Sequence, residues 1–331
     1  MISAFSLRAA LPRQATKISW QHILYNFRAI KVVFRNPRPM VLKQMRECQE
    51  APSNTESNVN CSGVSLVLPV LNESDTLPAF FSVLQDGILN QKSNPINEVV
   101  IVDDGSIDGS RDMLMDFKES HPDLRVNVIL RDRAFGSANA EIVGCAASSN
   151  PWAIKMDVDG QHPMNLVRDF CRFTKSSFDA IVASRYVPEA GNDWAPLRGV
   201  ISRSARILSK VMIPGARQVA DPVSGCFMIR SELALGLQPS LAHYKMLLYL
   251  LAKYPRLKVL EIPFTMKDRI GGVSKIATNP VTYVPRYLTE LMNYQRVSLC
   301  SGSVNVARRQ RQAGPTKDPS APSRAVQTES D

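Results

Sequence analysis

Two apolar strands, each running straight into an acidic turn, constrain this chain more than any other feature of its 331 residues. The first is Val99 to Val102, followed by Asp103-Asp104-Gly105-Ser106. The second is Trp152-Ala153-Ile154, which leads into Lys155-Met156-Asp157-Val158-Asp159-Gly160-Gln161-His162-Pro163. Short, continuously apolar runs of this kind suit strands buried on both faces, as in a parallel sheet. Ligands of such sheets bind beyond the strands' carboxyl ends. Asp157-Val158-Asp159 sets two hard oxygen donors one residue apart, a pattern suited to a divalent cation carrying a diphosphate. Either acidic turn alone is more often a plain turn. Two of them at neighbouring strand ends build one crevice.

The alternation of strand and helix continues along the chain. Val64 to Val70 reads as a buried strand, with Ser74 as the cap of the helix after it. Glu98 to Val102 is followed by a helix through Met113 and Phe117. Val126 to Leu130 is followed by a helix of small residues, Ala138 to Ala147. Trp152 to Met156 and Ala180 to Ala183 complete a set of about five parallel strands, which predicts right-handed crossovers and a doubly wound α/β sheet. Beyond them the pattern predicts a helix from Arg198 to Ile213 and a strand from Gly225 to Ile229. A more apolar helix, Leu241 to Lys253, and a strand, Leu257 to Met266, come next. The helix Pro285 to Arg296 gathers Val284, Leu288, Leu291 and Met292 on one face, to pack on the core or lie on a membrane. The chain thus divides into a basic arm and linker (1–62), a catalytic domain (63–280), an amphipathic helix (281–300) and a polar tail (301–331) expected to be disordered.

Charge is concentrated at one end. The net charge is +10, yet the first 46 residues contain no acid and carry nine Lys and Arg, from Arg8 to Arg46. The remainder is nearly neutral, with no RNA-binding signature or zinc module, so nucleic acid is excluded as the partner. Trp20, Ile23, Leu24, Phe27, Ile30 and Phe34 fall at helical spacing, flanked by Arg28 and Arg35 and interrupted by Lys31. This arm reads as an interfacial membrane anchor, a mitochondrial transit peptide or a disordered basic segment. The first is the expectation carried forward. No apolar run approaches the roughly 20 residues of a membrane-spanning helix. Six cysteines without a CxxC pair read as reduced, structural thiols in a cytoplasmic setting.

Seven blocks occur in a telling order. They are LVLPVLNES (66–74), VVIVDDGSIDGS (99–110), FGSANAEIVGCAAS (135–148), KMDVDGQHP (155–163), ASRYVP (183–188), DPVSGCFMIR (221–230) and DRIGGVSK (268–275). Together they resemble family 2 glycosyltransferases of the GT-A fold, most of all the dolichol-phosphate mannose synthase group with its polyprenyl-phosphate glucosyltransferases. The resemblance implies a nucleotide-diphospho-sugar transferase fold, Rossmann-like, with a doubly wound and mostly parallel sheet. It places Pro69, Leu71, Glu73, Val102 and Asp104 around the nucleoside and Val158 against the nucleotide. It assigns Asp157, Asp159 and Gln161 to Mg²⁺ or Mn²⁺, which would neutralise the leaving diphosphate. Arg185, Arg269 and Lys275 match the clamp on the donor's phosphates. Gly271 and Gly272 would let that loop close as a lid. The family has a larger residue where Gly271 stands, which predicts a looser lid here. Arg198 and Ser202, four apart on one helix face, match the pair facing the acceptor phosphate, with Arg203 and Arg206 nearby. Asp221, with Ser224 and Gly225, matches a block beside the sugar and suits hydroxyl recognition or positioning rather than proton transfer.

The implied reaction is inverting transfer of mannose or glucose from GDP-mannose or UDP-glucose to a polyprenyl or dolichyl phosphate. The catalytic set is Asp157, Asp159, Asp221 and Arg198. A lipid-linked acceptor further implies peripheral attachment at the cytoplasmic face of a membrane, through the arm, the 285–296 helix or a small membrane partner. Two other functions stay open: transfer to a soluble or glycan hydroxyl, and a non-catalytic nucleotide-sugar-binding subunit.

Overall fold

The computed structural model describes residues 63–192, 196–239, 245–267, 269 and 280–300, without the side chains of 192–198 and 280–284. The arm, the linker, the tail, Gly271, Gly272, Lys275 and the side chain of Arg198 lie outside the described residues. The described part opens with β1 (Val64–Val70) and α1 (Leu77–Leu84), whose last turn widens into a π-helical turn, Gln85–Leu89. There follow β2 (Glu98–Asp103), α2 (Ser110–Glu119), β3 (Arg125–Leu130), α3 (Ser137–Ala147), β4 (Trp152–Lys155) and α4 (Asn165–Cys171). Next come β5 (Ala180–Ser184), β6 (Gly191–Asn192), α5 (Pro196–Met212), β7 (Phe227–Arg230) and α6 (Glu232–Leu235). The described part ends with α7 (Met246–Lys253), β8 (Val259–Pro263), β9 (Thr265–Met266) and α8 (Pro280–Cys300).

Seven strands make one sheet in the order β3-β2-β1-β4-β7-β5-β8. The chain winds outward through β1, β2 and β3, then returns to lay β4 on the other side of β1. That reversal is a topological switch point, where open α/β sheets form their ligand crevice. The sheet is mostly parallel, as expected: β7 runs antiparallel to both β4 and β5, while β5 and β8 are parallel. The expected strand at 257–266 breaks at Phe264, and its second part, β9, pairs with β6 in a separate two-stranded ribbon.

Both faces of the sheet are covered. Along β1, Val64, Leu66, Leu68 and Val70 join the apolar layer of Phe80, Leu84, Phe117 and Phe170, under α1, α2 and α4. Val67 points the other way, to a layer with Ala140, Cys145, Leu250, Leu291 and Tyr294 from α3, α7 and α8. Period-two alternation persists, but each face meets helices, so the strand sequence reads as an unbroken apolar run. Ser74 does not cap α1 as expected. Its backbone N–H donates to Asp108 at 2.9 Å, while the helix starts after Thr76, whose hydroxyl donates to the Glu73 carbonyl. Cys145, Cys171 and Cys226 are buried free thiols, and burial is the main cause that raises Cys145 and Cys226 above the ordinary thiol range.

Candidate active site

The two acidic corners flank one loop. In the β1–β2 ladder Val70 pairs with Asp103, and the next amide, that of Asp104, donates to the Val70 carbonyl at 2.8 Å. On the other side Met156 donates to the Val67 carbonyl at 3.1 Å, just before Asp157. The segment Leu71–Ser74 leaves β1 between them. It is tied to the first corner by Asn72 N to Ser106 Oγ, Glu73 N to Ser110 Oγ and Ile107 N to Asn72 Oδ1, each at 2.9 Å. Asn72 takes a left-handed φ of 53°, an uncommon conformation that asparagine tolerates better than most. Pro69, Leu71 and Glu73 are half-buried along this loop, whereas Val102 is fully buried against α3 and its side chain offers a ligand no surface.

Asp104 is committed to the corner it stands on. Its carboxylate accepts from Arg131 Nη1 at 2.7 Å, the Phe135 amide at 3.0 Å and the Gly136 amide at 2.8 Å. These bonds hold the small-residue start of α3 over the sheet's edge, and Arg131 in turn lies over the Phe135 ring. Asp103 serves the turn itself, accepting from the amides of Gly105 and Ser106 and from Arg111 at 2.8 Å.

The second corner is the charged centre of the site. Asp157 is half-exposed, while Asp159 is 6% exposed. Asp157 Oδ1 accepts from Lys155 Nζ at 2.6 Å, and no described residue donates to Oδ2. Burial by itself raises the Asp157 carboxyl, but Lys155, His162 and Lys245 together outweigh it and bring it down to about 2. Asp159 goes the other way: burial first, then the charge of Asp157, push it up to about 6. Its Oδ1 accepts from the Gln161 amide at 3.1 Å, and its Oδ2 lies 3.2 Å from Arg269 Nη2. Gln161 donates its side-chain amide to the Lys267 carbonyl at 3.1 Å, and the Lys267 amide returns to the Gln161 carbonyl. This double link carries Arg269 to Asp159. His162 is buried, held neutral by burial with a pKa near 4, and both ring nitrogens lack a hydrogen-bond partner among the described residues.

Among the described residues no three or more His, Cys, Asp or Glu side chains converge as a ready-made metal cage. The donors fit a cation that brings its own partners. Mg²⁺ and Mn²⁺ are typically held by one or two carboxylates, with substrate phosphates and water filling the remaining positions. Asp157 Oδ2 and the Asp159 carboxylate, two oxygen anions in mutual repulsion, supply such a pair. The orphaned nitrogens of His162 lie beside them.

Arg185 and Asp221, expected on separate duties, are one unit. Arg185 Nε and Nη2 grip the two oxygens of Asp221 at 2.7 and 2.8 Å, with Asp221 fully buried. Glu261 accepts the Asp221 amide at 2.8 Å and fixes the backbone below. Asp221 therefore positions a guanidinium, a pairing the sequence did not suggest. Ser202 is half-buried and meets the Tyr186 hydroxyl at 2.9 Å, and Arg206 lies over the Tyr186 ring. Helix α5, which the resemblance assigns to the acceptor, is thereby docked onto the residue next to Arg185. Tyr186 carried no role in the sequence analysis, nor did Lys155, Glu141 or His162.

Comparison with known proteins places the chain in a family. The family model described as Glycosyl transferase family 2 matches residues 65–235. The dolichol-phosphate mannosyltransferase of Pyrococcus furiosus is 30% identical over 233 residues, which cover 70% of this chain and 64% of that protein, just under two thirds of its length. The dolichol-phosphate mannosyltransferase of Saccharomyces cerevisiae is 28% identical over 238 residues, 69% of this chain and 86% of that protein. Among solved structures, glucosyl-3-phosphoglycerate synthase from Mycobacterium tuberculosis, in complex with Mn²⁺, UDP-glucose and phosphoglyceric acid, superposes with a TM-score of 0.55. It is 18% identical and matches 74% of this chain and 85% of its own, a likeness of fold. With the motifs in order, the switch-point crevice and a family match over half the chain, the protein belongs to glycosyl transferase family 2 and is a glycosyltransferase of the GT-A fold.

Proposed function

We propose that the enzyme moves a hexosyl group, mannose or glucose, from GDP-mannose or UDP-glucose to a polyprenyl or dolichyl phosphate, with inversion at the anomeric carbon. The observation that carries this reading is the Asp157–Asp159 corner at the switch point, with Arg269 drawn onto it and the Arg185–Asp221 unit from a neighbouring strand end. The named activities of the relatives support the acceptor class. Bound Mg²⁺ or Mn²⁺, held by Asp157 and Asp159 with Gln161 beside them, would neutralise the diphosphate as it leaves. Arg185, Arg269 and Lys275 would bind the donor's phosphates. Pro69, Leu71, Glu73 and Asp104 would line the nucleoside. Asp221 keeps Arg185 rigid, so the guanidinium is preorganised and costs little to align during reaction.

An alkyl phosphate is already an oxyanion near neutral pH, with a second pKa of about 6 by analogy with phosphoserine. No protein base is then required, and the residues facing the acceptor need only hold and orient it. Arg198 is assigned to the incoming phosphate, with Ser202 one turn along α5. The enzyme would work peripherally at the cytoplasmic face of a membrane, through its basic arm, α8 or a small membrane partner. None of the described helices is long and apolar enough to cross a membrane.

The test is Asp159→Asn, which keeps the side chain's size and removes its charge. Transfer of labelled sugar into the lipid phase should fall by roughly 10³-fold, on the order of losing a principal electrostatic stabiliser. Near-normal incorporation would overturn the metal assignment. Label that stays in the aqueous phase as a glycan or small-molecule product would replace the lipid acceptor with a soluble one.

A further inference from the structure

We infer that Lys155 and Glu141 form a buried charge pair that orients Asp157 and sets how tightly the site takes its divalent cation. This deepens the proposed metal-dependent transfer and rests on it. Lys155 closes β4, and period-two alternation turns it, with Ala153, toward the face covered by α3. Its side chain is 2% exposed. An ammonium has three donors, and all three are spent: on Asp157 Oδ1 at 2.6 Å, on the Gly225 carbonyl at 2.9 Å and on Glu141 Oε1 at 3.1 Å. Glu141 is itself buried on α3 and accepts the Ser137 hydroxyl at 2.9 Å. A buried lysine is costly unless fully paired. This one is paired to the carboxylate assigned to the metal and to a second carboxylate behind it.

Two consequences follow from that arrangement. With Oδ1 held, the Asp157 carboxylate cannot rotate freely, and it presents one oxygen, Oδ2, beside Gly225 and His162. The fixed positive charge of Lys155 also opposes a second cation close by, and the negative charge of Glu141 offsets that opposition. Neither residue touches the donor or the cation. Both are positioning residues that act through Asp157, and their charges push metal affinity in opposite directions.

The experiment titrates Mn²⁺ alone into the full-length enzyme and reads free Mn²⁺ by electron paramagnetic resonance, beside thermal melting and transfer kinetics. Glu141→Gln keeps the acceptors for Lys155 and Ser137 but removes a negative charge, so Mn²⁺ affinity should weaken about tenfold. Lys155→Met keeps the stem and removes the positive charge. Affinity should strengthen about tenfold while kcat falls, because Asp157 is free to turn. If Lys155→Met does not fold, Lys155→Met with Glu141→Leu removes both charges, and its Mn²⁺ affinity should return to within about threefold of the parent. Equal weakening in both single variants, in step with lost thermal stability, would reduce the pair to a structural role and overturn the inference. Unchanged affinity in both would overturn it too. An unaltered enzyme that takes up no Mn²⁺ would instead sink the metal assignment itself.

Discussion

Gly225 is required by the carboxylate next to it. A Cβ at this position would stand 2.9 Å from Asp157 Oδ2 and 3.5 Å from His162 Cε1. Gly225→Ala should therefore displace Asp157 without opening a cavity. Turnover is expected to drop by roughly 10²-fold, the effect of a displacement of about 1 Å at a catalytic group, with the melting temperature little changed. Steady-state kinetics beside a thermal melt check both halves. The candidate residues at strand ends come from the sequence in two ways: Asp157 and Asp159 by type and spacing, Arg185, Asp221 and Arg269 by the family resemblance. Asp157, Asp159, Arg185, Asp221 and Arg269 do fall around the sheet's carboxyl edge. The partners that spend or free those side chains were not legible. A lysine at the end of a strand reads as a surface charge, and only the approach of α3 shows that Lys155 is buried against Glu141. Likewise nothing local links Asp104 to the amides of Phe135 and Gly136, which come from another loop.

Strands were readable as elements because burial on both faces makes them uniformly apolar. Direction was readable for the five strands joined by helical crossovers, which are parallel, but not for β7, which enters the middle of the sheet reversed. The sequence leaves the helix near the end to pack on the core or lie on a membrane, and α8 packs one side on the core. Tyr287, Glu290, Leu291 and Tyr294 are buried, with the Tyr287 hydroxyl 2.7 Å from Ser209 on α5. Leu288, Met292 and Leu299 stay exposed. Glu290 makes this docking sensitive to pH. No described group bonds either carboxylate oxygen, and burial, only partly offset by Arg286 and Lys245, pushes it up to about 8 from an ordinary 4.5. The folded state thus retains a proton that the unfolded chain releases at lower pH. The stability this contributes is fully present below pH 4.5 and is lost as pH rises through about 8. Glu290→Gln removes the titration. It should leave the melting temperature near that of the parent at pH 4.5 and raise it by roughly 2–4 °C at pH 9. Calorimetry at the two pH values tests this, and a parallel shift at both would place the origin elsewhere.

The candidate site lies among the sheet and its helices, yet the chain's net charge lies almost wholly outside them. Nine cations and no acid occupy residues 1–46, which leaves the remainder nearly neutral. Where a lipid phosphate is the acceptor, α8 can offer a bilayer its exposed Leu288, Met292 and Leu299. Each basic residue near an anionic membrane surface contributes about 1 kcal/mol, so the nine together exceed the roughly 2–4 kcal/mol those three side chains supply at half exposure. Such attraction is screened, because the Debye length shrinks from about 10 Å at 0.1 M salt to about 3 Å at 1 M. The full chain is therefore expected to float with phosphatidylserine-containing vesicles at 0.1 M salt and to be largely released at 1 M. A variant beginning at residue 47 should bind at least tenfold less at the lower salt (~1.4 kcal/mol) and show almost no salt dependence. Its transfer to a short, water-soluble prenyl phosphate should persist, which separates anchoring from chemistry. Undiminished flotation of the shortened chain would assign the membrane contact to α8 or to a separate membrane protein instead of the arm.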